Sequence, residues 1–314
     1  MSNRRDFLRN VSFLTAGGLL AGNVGSLHAS TTTSSQAAAA KTIGLQTYSL
    51  GQELFKDVPG GMKKLKDMGY TNLELAGYSK EGKIGPVEMM EFKKMAEDAG
   101  LKITSSHVNP AVREFSKETF NDIKEFWKVA AEHHAKLGVK YLIQPMMPKC
   151  ESHADAAFLC EVFNASGAIV KEAGIPWGYH NHNMEFKRVV KPEDAAKPGN
   201  PWMPKGDQIY DLFLKDTDPS LVFFEMDVYW TVMGQNDPVE YMRKHPDRIK
   251  VLHIKDRAIF GQSGMMNFEM IFKQAYANGI KDYFVELEGL KDGMSQFDGV
   301  KGCVDYLLNA PFVK

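Results

Sequence analysis

The hydrophobic positions of the chain follow two alternating spacings from Lys41 onward. Short apolar runs rich in β-branched residues, typical of buried strands, are separated by longer stretches with helical periodicity. The regular alternation indicates repeated β-α units around a parallel sheet. Eight strands are predicted: Ile43–Leu50, Asn72–Tyr78, Lys102–Val108, Tyr141–Pro145, Pro176–His182, Leu221–Tyr229, Ile249–Lys255 and Tyr283–Glu288.

Eight helices complete the pattern, and several are followed by a glycine that can supply a left-handed cap. They are Pro59–Met68, Pro86–Ala99, Lys117–Leu137, Ala154–Ala173, Asp207–Lys215, Pro238–Lys244, Asn267–Ala277 and Phe297–Leu308. Eight units favour a single α/β domain over residues 41–314, folded as a (β/α)8 TIM barrel. An open doubly wound sheet would carry a glycine-rich phosphate turn after its first strand, and the sequence has none. Two long loops, Lys187–Gly206 and Ala258–Met266, are lid candidates.

Residues 1–40 have the features of an export segment followed by a tether. Arg4 and Arg5 begin a twin-arginine pattern, an apolar run from Val11 to Leu20 follows, and cleavage is plausible after Ala29. The low-complexity stretch from Ser30 to Ala40 is predicted to be a disordered linker. We therefore expect a periplasmic protein with no stable membrane span after signal removal. A chance arginine pair before a membrane anchor is the alternative, although the apolar run is short for a spanning helix.

Charge and cysteine content exclude some classes of protein. The chain has 38 basic and 39 acidic side chains, so it offers no footprint for a nucleic acid, and a neutral small molecule suits it better. Its three cysteines have no paired spacing, so neither a disulfide framework nor a thiolate zinc site is expected.

Residue types that bind metals collect where the predicted strands end, which is the active-site face of a barrel. Carboxylates buried at a barrel mouth are costly unless a cation compensates them. Two glutamates, one aspartate and one histidine would suit Mn²⁺, Mg²⁺, Co²⁺ or Zn²⁺ with positions left for substrate oxygens. The segments concerned are 106–109, 179–185, 225–227, 251–256 and 285–288.

A single histidine at a strand end is more often a hydrogen-bonded structural group, so the metal prediction rests on the joint pattern. His133, His134, His153 and His245 lie on predicted helices or helix ends and are expected at the surface.

Four segments make a family resemblance specific. They are Ile43–Ser49, Gly69–Leu75, Tyr179–Phe186 and Phe284–Glu286. Together they resemble the sugar phosphate isomerase/epimerase family, which has a xylose isomerase-like barrel and shares that barrel with endonuclease IV and ketose 3-epimerases. The resemblance covers the chain after Lys41 and implies one divalent metal ion and a small carbohydrate substrate.

The resemblance also implies a ligand set. The family's aspartate on strand 6 matches Asp227, its histidine on strand 7 matches His253, and its glutamate on strand 8 matches Glu286, with Glu288 as the alternative. On strand 5 many relatives have a glutamate where this chain has His180. Glu185, just beyond that strand, is therefore the predicted fourth ligand, and His180 itself remains the alternative.

An ion that binds a carbonyl and its neighbouring hydroxyl would stabilise the enediolate formed when the α-proton leaves. Lys255, His182 and Glu288 are the candidates for proton transfer or polarisation. Lys255 has an alternative role in a salt bridge to Asp227 or Glu286. The predicted substrate-binding residues are Glu74, His107, His180 and Trp230.

The favoured function is a metal-dependent sugar isomerase or epimerase. Export disfavours a phosphorylated substrate, and a 3-keto-glycoside lyase that eliminates the aglycone on the same metal site is the close alternative. An exported sugar-binding protein without catalysis would not need the ligand set. A nuclease of the endonuclease IV type is disfavoured by the balanced charge and by Trp230, which stands three residues after Asp227, where that nuclease has a histidine ligand.

Overall fold

Eight parallel strands close into a barrel in the part of the chain that the structure describes. The fold comes from a computed structural model that describes residues 41–112, 114–200 and 204–314; the predicted export segment lies outside them. The barrel strands are β1 (Gly44–Gln46), β2 (Asn72–Leu75), β3 (Lys102–His107), β4 (Tyr141–Gln144), β5 (Trp177–His180), β6 (Val222–Asp227), β7 (Ile249–Ile254) and β8 (Asp282–Val285). Each strand pairs with its neighbours in the chain, and β1 pairs with β8. The predicted barrel is confirmed.

Eight principal helices follow the strands and end close to the predicted positions. They are α1 (Val58–Met68), α2 (Met89–Asp98), α3 (Phe120–Leu137), α4 (His153–Glu172), α5 (Ile209–Asp216), α6 (Pro238–Lys244), α7 (Phe268–Ala277) and α8 (Gln296–Asn309). Capping fixes several ends: the Ser152 hydroxyl accepts a hydrogen bond from the Asp155 amide at the start of α4, and Gly138 ends α3 in the left-handed region. None of the helices in the described residues is both long and apolar enough to span a bilayer.

Two predicted strands are too long because polar side chains turn the backbone. After β1 the Gln46 side chain accepts a hydrogen bond from the Tyr48 amide, and Thr47–Leu50 forms a 3₁₀ helix. After β6 the Asp227 carboxylate accepts one from the Trp230 amide and begins the short helix Val228–Met233. Capping interactions of this kind compete with strand pairing.

Three small strands after β2 and two within the loop after β5 were not predicted. The first set is Tyr78–Ser79, Lys83–Ile84 and Val87–Glu88, and the second pairs Arg188–Val189 with Asp207–Gln208. All these strands are two residues long. Such lengths are too short for an alternating hydrophobic pattern to be recognised in the sequence.

A hydrophobic layer fills the barrel interior below the strand ends. Its members are buried and come from alternating positions on four strands, which point to the same face; they are Tyr141, Ile143, Phe223, Val251 and Phe284. Two glycines leave room for the rings: a Cβ on Gly44 would lie 2.4 Å from Phe284, and a Cβ on Gly178 would lie 2.4 Å from Phe223. The layer closes the barrel beneath the next set of inward positions.

His134 is buried in the layer between sheet and helices, so the expected surface position is wrong for this residue. Its Nδ1 donates to the Ala130 carbonyl at 2.7 Å, and its Nε2 accepts from the Ser106 hydroxyl at 3.0 Å. Burial lowers the pKa of His134 to about 4, since the site favours the neutral ring.

The neutral ring of His134 makes stability depend on pH. Its pKa is about 4 in the folded state and about 6.5 when exposed, so its contribution is complete above pH 6.5 and is lost as pH falls towards 4. We expect the free energy of unfolding to fall by about 2 kcal/mol more in wild type than in His134→Gln between pH 7.5 and 4.5. Urea unfolding of both proteins measures this.

His133→Gln is the matched control, because His133 is the neighbouring residue on α3 and is only half-buried. Parallel pH profiles for wild type and His134→Gln would contradict the assignment of the buried neutral ring.

Candidate functional site

Charged side chains occupy the inward positions directly above the hydrophobic layer. They come from β2, β3, β5, β6, β7 and β8, at or just beyond the carboxyl ends of the strands. The alternation of each strand explains the set: Phe223, Glu225 and Asp227 are successive inward positions of β6. The members are Glu74, His107, His180, Glu225, Asp227, His253, Lys255, Glu286 and Glu288.

Glu74 lies at the bottom of this group and is held by three donors. Gln46 Nε2 donates to its Oε1 at 2.8 Å, and the Ser105 hydroxyl donates to its Oε2 at 2.5 Å. His253 Nε2 lies 2.5 Å from Glu74 Oε1 and must donate, because a carboxylate oxygen accepts. Glu74 was predicted to bind substrate, but its buried contacts are with the protein.

Glu225 shares the same layer and contacts three imidazoles through one oxygen. Its Oε2 lies 2.7 Å from His107 Nε2, 3.2 Å from His180 Nδ1 and 3.3 Å from His253 Nε2. Glu225 was not among the predicted site residues. Its spacing of two from Asp227, which places both on the inner face, is the signal that could have identified it.

Four side chains above this layer could hold a metal ion. One nitrogen or oxygen from each of His180, Asp227, His253 and Glu286 lies within 4.8 Å of the others. Asp227 Oδ1 accepts from the Trp230 amide at 2.7 Å, whereas its buried Oδ2 has no hydrogen-bond partner. A buried acceptor without a partner costs free energy, and a cation would satisfy it.

Glu74 and Glu225 determine which ring nitrogens of two histidines face the four-residue group. His253 donates from Nε2 to Glu74, so its Nδ1 is the nitrogen that faces the four-residue group, and it lies 3.3 Å from Glu286 Oε2. His180 Nδ1 faces Glu225, so its Nε2 is the nitrogen left for a metal. A carboxylate that orients the far side of a metal-binding histidine is a common arrangement in metalloproteins.

A second combination of His107, His180, Glu225 and His253 also lies within 4.8 Å. There Glu225 Oε1 is also buried without a partner, but Oε2, the oxygen that faces the histidines, is already shared among all three of them. We therefore interpret this set as a supporting hydrogen-bond network.

The electrostatics of the group indicate a shortage of positive charge around two of its carboxylates. Burial raises the pKa of Asp227 to about 7, and burial with the nearby charge of Glu74 raises that of Glu225 to about 7. Burial alone would lower the pKa of His253, but the carboxylates of Glu225, Glu74 and Glu286 raise it well above its ordinary value. For Glu286 burial alone would raise the pKa, but His253 and Lys255 lower it. Two imidazoles and two carboxylates, one of them with a raised pKa, fit a divalent ion.

Glu185 does not join either group. Tyr179 donates its hydroxyl to Glu185 Oε1 at 2.7 Å, and the His182 amide donates to Oε2 at 3.0 Å. Burial raises the pKa of this carboxyl to about 7. Its contacts hold the turn after β5, while His180 occupies the inward position at the strand end.

Lys255 and its neighbours form the outer edge of the site. Its Nζ lies 2.9 Å from Glu286 Oε2 and 2.6 Å from Glu288 Oε2. It also lies 4.9 Å from the centre of the Trp230 ring, a cation–π distance. The His182 ring lies 6.0 Å from Trp230 and 4.9 Å from His180, so the three predicted proton-transfer residues border the metal group.

Two cavities lie at opposite ends of the barrel. The larger, about 900 Å³, opens where β4, β5, β6 and β8 begin and is lined by lysines including Lys140 and Lys250. The smaller, about 390 Å³, lies beside the loops after β3 and β4. Because barrel enzymes react at the carboxyl ends of their strands, and the buried titratable group lies there, we place the site at that end.

This geometry agrees with the comparisons with known proteins. The family model described as xylose isomerase-like TIM barrel matches residues 62–302, so the chain belongs to that family. A crystal structure of a sugar phosphate isomerase/epimerase from Parabacteroides distasonis ATCC 8503 is 65% identical, with a TM-score of 0.83 over 87% of this chain and 100% of that one. A second from the same strain is 54% identical, with a TM-score of 0.85 over 89% and 100%.

Among curated proteins, the inosose dehydratase of Salmonella agona (strain SL483) is 25% identical over 200 residues, which is 59% of this chain. The chain spans only 61% of the length of that relative. The fold and family predictions are thereby confirmed, whereas the residue roles stay predictions.

Replacing His180 and Glu185 separately will decide which of them binds the metal. We expect His180→Gln to weaken Mn²⁺ binding by at least about a hundredfold, since loss of a supporting contact alone costs roughly 10–100-fold. Glu185→Gln should change the affinity by less than about threefold, because that carboxylate contacts Tyr179 and the His182 amide. Calorimetric titration of chelator-treated protein measures both.

Thermal unfolding of the two variants serves as the control for folding. The reverse ranking, with Mn²⁺ binding lost only in Glu185→Gln, would make Glu185 the ligand on the fifth strand.

Proposed function

We propose that this chain is a divalent-metal-dependent enzyme that removes a proton next to the carbonyl of a carbohydrate, as isomerases and epimerases do. The observation that carries the proposal is the group of His180, Asp227, His253 and Glu286, in which Asp227 Oδ2 is buried without a partner. Its relatives named as sugar phosphate isomerases/epimerases support the carbohydrate class of substrate.

A bound divalent ion would supply Lewis acidity, which polarises a carbonyl and stabilises the negative charge that develops when the α-proton leaves. The chain's own part is to hold the ligands still. Glu74 and Glu225 fix the rings of His253 and His180 from below, so little reorganisation is needed when charge develops.

Lys255 adds a fixed positive charge beside the same group. Burial alone would lower its pKa, but Asp227, Glu286 and Glu288 raise it, so the side chain stays protonated. It can therefore stabilise an oxygen that gains negative charge. We assign proton removal and return to Glu288, 2.6 Å from Lys255, and to His182, beside His180, because both border the group.

Hydrogen exchange tests the proposal without knowledge of the final product. Incubated with Mn²⁺ and a panel of ketoses and 3-keto-glucosides in D₂O, the protein should incorporate deuterium at a carbon next to the carbonyl, detected by NMR. Chelation should abolish the exchange. Absence of exchange by metal-loaded protein across the panel would contradict the proposal.

Lys255→Gln is the informative variant for this assay. General acid–base and electrostatic groups contribute about 10²–10⁴-fold, so we expect the exchange rate to fall by at least about a hundredfold. Lys255 is not in the metal group, so Mn²⁺ content should stay close to that of wild type. Loss of metal together with exchange would instead indicate a structural role for the lysine.

Elimination from a 3-keto-glycoside is the second candidate. Two observations favour it: the curated relative is named a dehydratase, and Glu288 lies partly exposed at the mouth beside Lys255. The base takes the C2 proton, the electron pair of the C2–H bond forms a C1–C2 double bond, and the C1–O bond breaks. Its electron pair leaves with the aglycone oxygen, which takes up a proton from the protonated base or from water. Release of phenol from a 3-keto phenyl glucoside in the same incubation would identify this reaction.

We also propose export through the twin-arginine route, which would give the enzyme unphosphorylated sugars as substrates. The proposal rests on the Arg4-Arg5 pattern and the apolar run after it. Replacing both arginines by lysine should keep the protein in the cytoplasmic fraction of its cells, as measured by immunoblotting. Unchanged distribution would contradict it, and Arg9→Lys, outside the pair, is the control.

A further inference from the structure

Large hydrophobic side chains stand exposed around the mouth of the barrel. Six of them, 38% to 61% exposed, follow β1, β4, β5, β6, β7 and β8. We call these residues the apolar rim: Tyr48, Met146, Met184, Met233, Met265 and Leu290. Loops after six strands meet at the same end of a barrel, so the six side chains lie at that end.

The rim lies next to polar residues of the site along the chain. Met184 stands two residues after His182, and Leu290 stands two residues after Glu288. Met233 lies one turn after Trp230 on the helix Val228–Met233, and residues at that spacing share a face. The mouth of the barrel therefore has the charged side chains of the site at its base, which we call the charged floor, and the apolar rim around them.

One part of the rim forms the wall of a cavity. The space of about 390 Å³ beside the loops after β3 and β4 is lined by Met146 together with Val112, Phe115 and Met147. Gln144, also in its lining, is fully buried, and its Nε2 donates to the Met146 carbonyl at 3.1 Å. Its Oε1 has no partner, so the cavity, whose lining also includes Asn109, Glu114 and Lys149, offers one acceptor for a hydroxyl.

We propose that the apolar rim and this cavity bind an apolar aglycone, so that the substrate is a carbohydrate carrying an aromatic or alkyl group rather than a free sugar. This rests on the proposed function, because it assigns the sugar to the charged floor. Methionine side chains are flexible and polarisable, so they suit groups of varied shape. Aromatic rings gain additional contacts with sulfur.

Binding of unreactive glycosides tests the inference separately from catalysis. Methyl and phenyl β-D-glucosides lack the carbonyl, so neither is turned over, and they differ only in the aglycone. For the full chain loaded with Mn²⁺, we expect the phenyl glucoside to bind at least about tenfold more tightly, since burying a ring removes apolar area from water. Equal binding, or no measurable binding of either, would overturn the inference.

The double variant Met184→Gln, Met233→Gln keeps the side-chain length and removes the apolar character. It should reduce the preference for phenyl to below about threefold and leave binding of the methyl glucoside within about twofold. Leu308→Gln is the matched control, because Leu308 is also exposed but lies at the far end of α8. An unchanged preference in the double variant would overturn the role of the rim.

Two results separate this inference from the proposed function. Preference for phenyl without any hydrogen exchange would leave the rim assignment standing and remove the proposed reaction. Exchange without preference would do the reverse. A dimer that the double variant dissociates, with no change in glycoside preference, would assign the rim to a second copy of the chain and overturn the inference.

Discussion

The geometry of the site depends on one requirement, which is that the negative charge buried at the centre of the barrel must be compensated. The group contains four buried carboxylates, Glu74, Glu225, Asp227 and Glu286, and one buried lysine, Lys255. Carboxylates removed from water need donors or a cation, and each histidine in the group has a carboxylate contact. The orientations of the rings, and hence the nitrogens left free, follow from this need for compensation.

The barrel and the inward residues of its strands could be predicted from the sequence because both depend on simple periodicities. Alternation along β6, β7 and β8 places Asp227, His253 and Glu286 on one face, and the fold brings the strand ends together. The same alternation places Glu225 on the inner face. No feature of the sequence, however, shows whether this carboxylate would bind a metal ion or would hold the histidine rings in place. Only the contacts with His107, His180 and His253 distinguish the two roles.

The fifth strand shows where such reasoning stops. Glu185 is the more natural ligand type, and in the sequence it is only five residues from His180. Beyond the strand the period of two no longer applies, because a 3₁₀ helix from Met184 to Phe186 turns the chain. The Tyr179 hydroxyl and the His182 amide then occupy the carboxylate. His134 illustrates the same limit, because helical position alone did not show that it faces Ser106 across the sheet–helix layer.

Successive inward residues of a single strand serve different purposes in this barrel: the lower ones pack in the core and the upper ones form the charged site. On β7, Val251 packs in the hydrophobic layer, His253 lies in the charged layer above, and Lys255 follows at the mouth. The buried rings below stabilise the barrel, while the charged layer costs free energy until its charges are compensated. A site built in this way resists collapse because its side chains stand on, or directly after, paired strands. Under the proposed function its selectivity would lie in the loops after the strands, whose exposed side chains can change without disturbing the barrel.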